Sequence, residues 1–289
     1  MNSPAGATHA VDIVIPCYNA ESTLVATLES ALGQTFTDFR LTLIDNASTD
    51  RSVEIALAMN DPRIVVLQND DNIGPIPNWN RAIEVASAPY VKLLCADDLI
   101  DPTLLERQVA VLADPANADV VMVACRRRVI DHEGRTVLKA RGLRGMSGKV
   151  TNTRLFRRTA RSGTNPIGEP GAVLVRTEAI KACLPWDDRF PYLVDVEMWT
   201  RLVDHGMLYA IPRPLASFRV ADASWSSQVA HLQHVQARAF CAALRERHPE
   251  EIRSFDYGIG YVNAAILSRA RRAVYWWLGR GKRAQRSSD

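Results

Sequence analysis

The sequence predicts an α/β fold: a mostly parallel sheet with helices on both faces. Three observations carry this expectation. Apolar runs alternate with amphipathic stretches from Val11 to Ala124, as strands linked by crossover helices require. The runs are rich in Val, Ile and Leu with few polar interruptions, which marks strands buried on both faces. Polar segments follow four of these runs, where open α/β sheets bind their ligands.

In order, Val11–Ile15 reads as a buried strand, and Ala20–Leu32 has helical periodicity through Leu24, Leu28 and Ala31. Phe39–Ile44 is a second strand and Thr49–Met59 a second helix; Asp61-Pro62 breaks the chain before the strand Ile64–Leu67. Pro75 and Pro77 open a helix through Ala86, and the strand Tyr90–Leu94 follows. A helix from Pro102 to Leu112 and the strand Val120–Ala124 close the series. Beyond them Asp131-His132-Glu133-Gly134 reads as a hairpin turn, and the basic, glycine-containing Arg135–Asn152 as a mobile loop. Gly171–Val175 reads as a strand, Asp195–His205 as a short helix, and the chain from Gln228 as wholly helical.

The chain has 289 residues, 47% hydrophobic and 23% charged, enough for one large domain or a domain with a helical appendage. A net charge of +3 points to no nucleic-acid partner. Five widely spaced cysteines without a CxxC argue against a disulfide framework or zinc site and for a reducing compartment. The small, polar stretch Met1–Ala10 does not read as a signal peptide, and no run reaches the ~20 apolar residues of a membrane span. A cytoplasmic location follows as the expectation.

Cys95-Ala96-Asp97-Asp98 ends the fourth strand. Two adjacent carboxylates repel, and a hard divalent cation, Mg2+ or Mn2+, offsets that repulsion. Asp45, at a strand end, could accept a hydrogen bond from a nucleobase, with Asn19 and Asn46 as further polar contacts. Asp50 stands at a helix start, where capping competes with ligand binding. Arg81 lies on an amphipathic helix, where a solvated face and a diphosphate contact both fit.

Taken in order, Val11-Asp12-Ile13-Val14-Ile15-Pro16-Cys17-Tyr18-Asn19, Asp45-Asn46-Ala47-Ser48-Thr49-Asp50, Asn72-Ile73-Gly74, Asn80-Arg81 and Cys95-Ala96-Asp97-Asp98 resemble the motifs of family 2 glycosyltransferases. The resemblance covers about Val11 to Ser227 and implies the GT-A fold. It implies a nucleotide-diphosphate sugar donor, UDP favoured, contacted by Pro16, Tyr18, Asn19, Asp45, Asn46, Asn72, Arg81, Ala96 and Asp97. It also implies a divalent cation on Asp97 with Asp98. The usual Asp-x-Asp has Cys95 at its first position here, and a thiol is a poor partner for Mg2+.

Asp195-Val196-Glu197-Met198-Trp199-Thr200-Arg201 is similar to the family's catalytic helix, with Val194 replacing an expected Glu. Val196, Trp199 and Val203 share one inward face. Asp195 at the helix start matches the general base, and Glu197 is the runner-up. Asn165 to Gly171 resembles the acceptor-side segment, where Gly168 and Glu169 are candidate contacts alongside Trp199. Arg219 with Ser224-Trp225-Ser226 resembles a loop that closes over the phosphates. His132, His205 and His234 have no metal-like spacing.

These readings divide the chain into a catalytic domain, 1–227, and a helical extension, 228–289. In the extension Ile259, Val262, Ile266, Ala270, Ala273 and Trp277 form one apolar stripe. Seven cations and no acid lie between Arg269 and Arg286. This resembles a helix lying at an anionic membrane surface, peripherally on the inner face, against the alternative of packing on the protein. The resemblance implies an inverting transferase acting on a glycan or lipid-linked acceptor in surface polysaccharide synthesis. Two rivals stay open: a nucleotide-binding module without turnover, favoured by Cys95 and Val194, and a sugar nucleotidyltransferase. The latter is disfavoured because Pro16-Cys17-Tyr18-Asn19 stands where a glycine-rich, basic loop would hold a triphosphate.

Overall fold

A computed structural model of the chain describes residues 9–220 and 232–267. Its first half is the expected alternation: β1 (Val11–Cys17), α1 (Leu24–Leu32), β2 (Phe39–Asp45), α2 (Ser52–Ala58), β3 (Ile64–Gln68), α3 (Pro75–Glu84) and β4 (Tyr90–Leu93). There follow β5 (Leu99–Ile100), α4 (Leu104–Ala113), β6 (Val120–Ile130), β7 (Thr136–Arg141), β8 (Gly148–Val150) and α5 (Asn152–Ser162). The remainder comprises β9 (Val173–Arg176), α6 (Thr177–Ala182), α7 (Val194–Leu202), β10 (Met207–Arg219) and α8 (Gln233–Arg247), with further helix over residues 254–267.

The strands form one ten-stranded sheet in the order β3-β2-β1-β4-β9-β6-β10-β5, with β7 on β6 and β8 on β10. β3, β2, β1 and β4 pair in parallel, as do β6 and β10, while β9 runs antiparallel to β4 and β6. Alternate residues of β1 feed opposite faces: Ile13 and Ile15 pack with Leu24 and Leu28 of α1, while Val14 packs with Ile83 of α3. Burial of this kind contributes about 1.5–3 kcal/mol per large aliphatic side chain. It explains why the strands read as unbroken apolar runs.

Three expectations need correction. Arg135–Asn152 is not one loop: β7 and β8 occupy it, joined through Gly142, Gly145 and Gly148, whose φ angles of 81, 72 and 68° suit turns that other residues resist. β6 continues past Ala124 through three arginines, because Cys125, Arg127 and Val129 keep the inward alternation. The end of the chain is not uniformly helical either: α8 stops before Pro249, and helix resumes at residue 254.

α8 and residues 254–267 pack on the body through α5. Gly260 and Ala264 lie against Ala160 and Gly163, Cys241 Sγ contacts Ala160 O at 3.5 Å, and Asp256 pairs with Arg157 and Arg161. Val262 and Ile266, half of whose surface is open, point outward. The 227/228 boundary, Ser224-Trp225-Ser226, and the stripe and cations after Leu267 lie outside the described residues. Among those described, no helix is long and apolar enough to cross a membrane.

Candidate active site

The carboxyl ends of β1 to β4 meet at one edge, laced by hydrogen bonds between their turns. Asn19 donates its amide to Ser48 Oγ (2.9 Å), and its side-chain oxygen accepts the Thr49 amide (2.8 Å). Its φ of 48° places it in the left-handed region that Asn tolerates. Asp50 accepts from the Ser52 amide and hydroxyl and from the Glu21 amide. Against the upward push of burial, those bonds hold its carboxyl below the usual range. Asp50, just before the Arg51 N-cap, therefore ties the start of α2 to the β1 turn.

Asp45 closes β2, fully buried. Its Oδ2 accepts the Ser48 amide at 3.2 Å, and its Oδ1 has no hydrogen-bond partner among the described residues. Asn46 has its polar groups committed to the protein. It donates to Asn72 Oδ1 (2.8 Å) and Gly74 O (3.2 Å) and accepts from Asn69 Nδ2 (2.7 Å) and the Ile73 amide (3.0 Å). Asn46 thereby shapes the Asn72-Ile73-Gly74 turn. Arg81 donates to Gln68 O at 3.3 Å and to Asn69 Oδ1, at the rim beside this network. Pro16 is half-buried at the end of β1, and the Tyr18 ring next to it stands exposed.

The turn after β4 is held from three sides. Ala96 O accepts the hydroxyls of Thr23 and Thr27, both at 3.0 Å, and the Asp98 amide donates to Cys95 O at 3.1 Å. From the end of β10, the Arg219 amide donates to Asp98 Oδ1 (2.9 Å) and its Nε to Asp97 O (2.8 Å). The same guanidinium reaches Asp131 O and His132 O, so it fastens the turn to the β6–β7 hairpin. Arg219 is thus a buried clamp beneath the carboxylates; the residues expected to close with it lie outside those described.

Cys95, Asp97 and Asp98 bring Sγ and two carboxylate oxygens within 4.8 Å of one another. Burial pushes the Asp97 carboxyl up, opposed by Arg219; burial and the neighbouring Asp97 charge push Asp98 up further. Cys95 rises well above its usual range through burial and the charges of Asp98 and Asp97, so its thiol stays protonated. Two adjacent hard-oxygen donors, Asp98 buried and Asp97 partly exposed, fit a divalent cation, and a neutral thiol does not compete for it. With one Asp98 oxygen engaged by Arg219, Asp97 is the more available ligand.

Facing this turn is residue 195 at the start of α7. Asp195 Oδ2 accepts Asn165 Nδ2 at 2.5 Å, and Oδ1 accepts the Val196 amide at 2.7 Å. Burial and the nearby Glu169 carboxylate push Asp195 up to about 7, while the Val196 amide, Arg127 and Asn165 pull it down. Glu197, two residues on and so about 200° round the helix, is paired with Arg201 at 2.7 Å and lies 3.7 Å from Arg247. The alternative base is therefore tied into an arginine cluster away from Asp195.

Residues 165–171 bridge Asp195 and the aspartate turn. Asn165 Oδ1 accepts the amides of Ile167 and Gly168, and Trp199 Nε1 donates to Gly168 O (2.9 Å). Trp199 is buried against Trp186, so it supports the segment from below. At the far end, a Cβ on Gly171 would sit 3.8 Å from Asp98 Oδ2. A narrow crevice between them is lined by Asp98, Arg127, Glu169, Gly171 and Ser217.

Two residues of this bridge escaped the sequence reading. Arg127, buried in β6, is ion-paired with Glu169 and donates to Asn165 O at 3.3 Å. Lys92, fully buried in β4, donates to Gly171 O (3.0 Å) and Val173 O (2.9 Å), and burial draws it down to about 7. A cation inside an apolar strand was the available signal for Lys92; Arg127, the middle of three consecutive arginines, carried none.

The fold is that of the GT-A glycosyltransferases. The pattern of the family described as Glycosyl transferase family 2 matches residues 12–183, and the chain belongs to that family. It is 28% identical over 227 residues to the protein MT1568 of Mycobacterium tuberculosis, covering 76% of this chain and 70% of that one. Over 99 residues it is 33% identical to WfaP of Escherichia coli, a UDP-Glc:alpha-D-GlcNAc-diphosphoundecaprenol beta-1,3-glucosyltransferase. That match covers 34% of this chain and 39% of WfaP.

Two solved structures share the fold. Residues 1–349 of S. aureus TarS in complex with UDP-GlcNAc superpose with a TM-score of 0.63 at 18% identity, covering 88% of this chain and 79% of that one. The mannosyltransferase PcManGT from Pyrobaculum calidifontis, in complex with GDP-Man and Mn2+, gives 0.59 at 17%, covering 94% and 81%.

Proposed function

We propose that this protein transfers a sugar, with inversion, from a UDP-sugar to a hydroxyl of a glycan or lipid-linked acceptor in polysaccharide synthesis. The observation that supports it most is the bridge from Asp98 through residues 165–171 to Asp195. It sets a carboxylate suited to proton abstraction beside carboxylates suited to a diphosphate-bound cation.

The unfilled Oδ1 of Asp45 suits a base N–H, and the exposed Tyr18 ring suits stacking on that base. Pro16, Asn19, Asn72 and Ala96, on the turns of the same sheet edge, and Arg81 beside them would flank the nucleotide. TarS and WfaP favour uridine, whereas PcManGT keeps guanosine as the second choice. A divalent cation on Asp97, with Asp98, supplies Lewis-acid stabilisation of charge on the leaving diphosphate.

Asp195 takes the proton from the acceptor hydroxyl as that oxygen bonds to the anomeric carbon and the bond to the diphosphate breaks. Asn165 orients Asp195, and Glu169 and Gly168 stand where acceptor hydroxyls approach. WfaP, whose name specifies a diphosphate-lipid acceptor, supports a lipid-linked substrate. The outward stripe of Val262 and Ile266 supports contact with a membrane surface, and with it a peripheral cytoplasmic location.

The test is a donor panel. UDP-, GDP- and dTDP-sugars are titrated and assayed for hydrolysis with Mn2+, with Mg2+ and with EDTA. Cation-dependent binding and turnover of a UDP-sugar support the proposal. Cation-independent binding without turnover favours a module that binds nucleotide and nothing more.

A further inference from the structure

Apart from the carboxylate edge, residues 144–146 and α5 border an open surface pocket of about 480 Å3. That is a size typical of small-ligand sites, ~300–1,000 Å3. Arg144, Arg154, Arg157, Arg158 and Arg161 line it, with Met146. Asp256 pairs with Arg157 and Arg161, whereas Arg144, Arg154 and Arg158 have no carboxylate partner among the described residues. Guanidinium groups gathered round one pocket repel each other, and an anion inside it offsets that repulsion. Their planar forks match phosphate oxygens in paired hydrogen bonds. A group with several charged oxygens engages more of these arginines than a single carboxylate can.

We propose that this pocket is a second anion site that takes a phosphate or diphosphate group. Its position links it to the acceptor side. The Leu143 amide donates to Pro166 O at 2.7 Å, so residues 144–146 continue directly from the bridge segment. α5 lines the pocket from Arg154 to Arg161, and from its end at Ser162 the chain runs through Gly163 to Asn165. On the other border, Asp256 joins Arg157 and Arg161 to helical residues 254–267, which carry the outward apolar stripe. A phosphate held here therefore lies along α5, between residues 165–171 and the apolar face. Assigning that phosphate to the acceptor rests on the transferase reading above; the anion site does not.

The group comes either from a free phosphate compound or from a lipid headgroup, and two probes separate the sources. The full chain is titrated calorimetrically with inorganic diphosphate in EDTA, which keeps cations from the Asp97 turn. It is also sedimented with phosphatidylcholine vesicles with and without phosphatidic acid. Arg144→Ala with Arg158→Ala is the variant, since both side chains are exposed and their removal leaves no buried group unpaired. Diphosphate binding weakened about tenfold or more in this variant, and retained in Asp97→Ala, supports the site with a free compound as sufficient ligand. Phosphatidic-acid-dependent sedimentation with the same arginine dependence, without diphosphate binding, supports it with the headgroup as source. Equal behaviour of variant and wild type toward both probes overturns it, as does diphosphate binding that disappears in Asp97→Ala. UDP binding with Mn2+ is read in parallel on the wild type; if it persists when the arginine dependence is absent, this inference alone has failed.

Discussion

Asn165 holds Asp195 with one end of its side chain and the turn at Ile167 and Gly168 with the other. The orientation of the candidate base and the shape of residues 165–168 are therefore tied to a single residue. A shift in either is transmitted to the other through bonds of 2.5 and 2.9 Å.

Asp195→Asn keeps the shape and the contact to the Val196 amide but cannot take a proton. Turnover should fall by about 10²–10⁴-fold, with donor affinity within a few-fold of wild type. Single-turnover transfer combined with UDP titration checks this. Loss of UDP binding would contradict the base assignment.

With its carboxyl raised to about 7, Asp195 is protonated at lower pH and inactive as a base. The rate should rise about tenfold per unit below that value and level off above it. Asn165→Ala removes a hydrogen bond that favours the ionised form, so the rising limb should move to higher pH. A profile of kcat/KM from pH 5.5 to 9 checks both; a limb that moves to lower pH would contradict the coupling.

Glu197→Gln should act on stability and spare chemistry. Buried against Arg201, Glu197 loses its charge in the variant and leaves the guanidinium uncompensated, a cost of about 3–5 kcal/mol at most. A lower midpoint in denaturant with kcat changed less than a few-fold is the expected result. A loss of kcat as large as that of Asp195→Asn, in protein that remains folded, would restore Glu197 as the base.

Asp97→Ala should remove the stimulation of UDP binding by Mn2+ while leaving the cation-free affinity in place. Calorimetry with and without EDTA checks it. An unchanged response to Mn2+ would place the cation on other residues.

Gly142→Ala tests the bridge from outside. Gly142 has a φ of 81°, and an added Cβ would collide with Arg127 Nη1 and lie 2.8 Å from Ile167 O. The strain and clash together should cost about 1–3 kcal/mol. The acceptor KM should rise more than the donor KM, because Ile167 lies in the proposed acceptor segment and Arg127 is bonded to it. Thermal unfolding and two-substrate kinetics check it.

The first half of the fold was legible because strands buried on both faces have no choice but to be apolar. Ile13, Val14 and Ile15 serve both layers at once. β10 was opaque for the opposite reason. Pro212 and Pro214 argue against a strand, yet the ladder with β6 accommodates them through register shifts between Ile211 and Ala216. Among the candidate site residues, Asp97 and Asp195 are marked by charge at element ends. The commitment of Glu197 to Arg201 and Arg247 could not be foreseen, since Arg247 arrives from α8, 50 residues away in sequence (247 − 197).

The direction of one short strand has a consequence for the whole site. In a uniformly parallel sheet, β9 would deliver the chain leading into it to the amino-terminal edge, about 13 Å from the carboxyl edge over its four residues. Because it runs against β4 and β6, its entrance rather than its exit opens beside Asp98. Residues 165–171 thus reach the edge that carries Asp98 without a long excursion. On the proposed reading, a reversal of chain direction in the middle of the sheet gives donor and acceptor a common doorway.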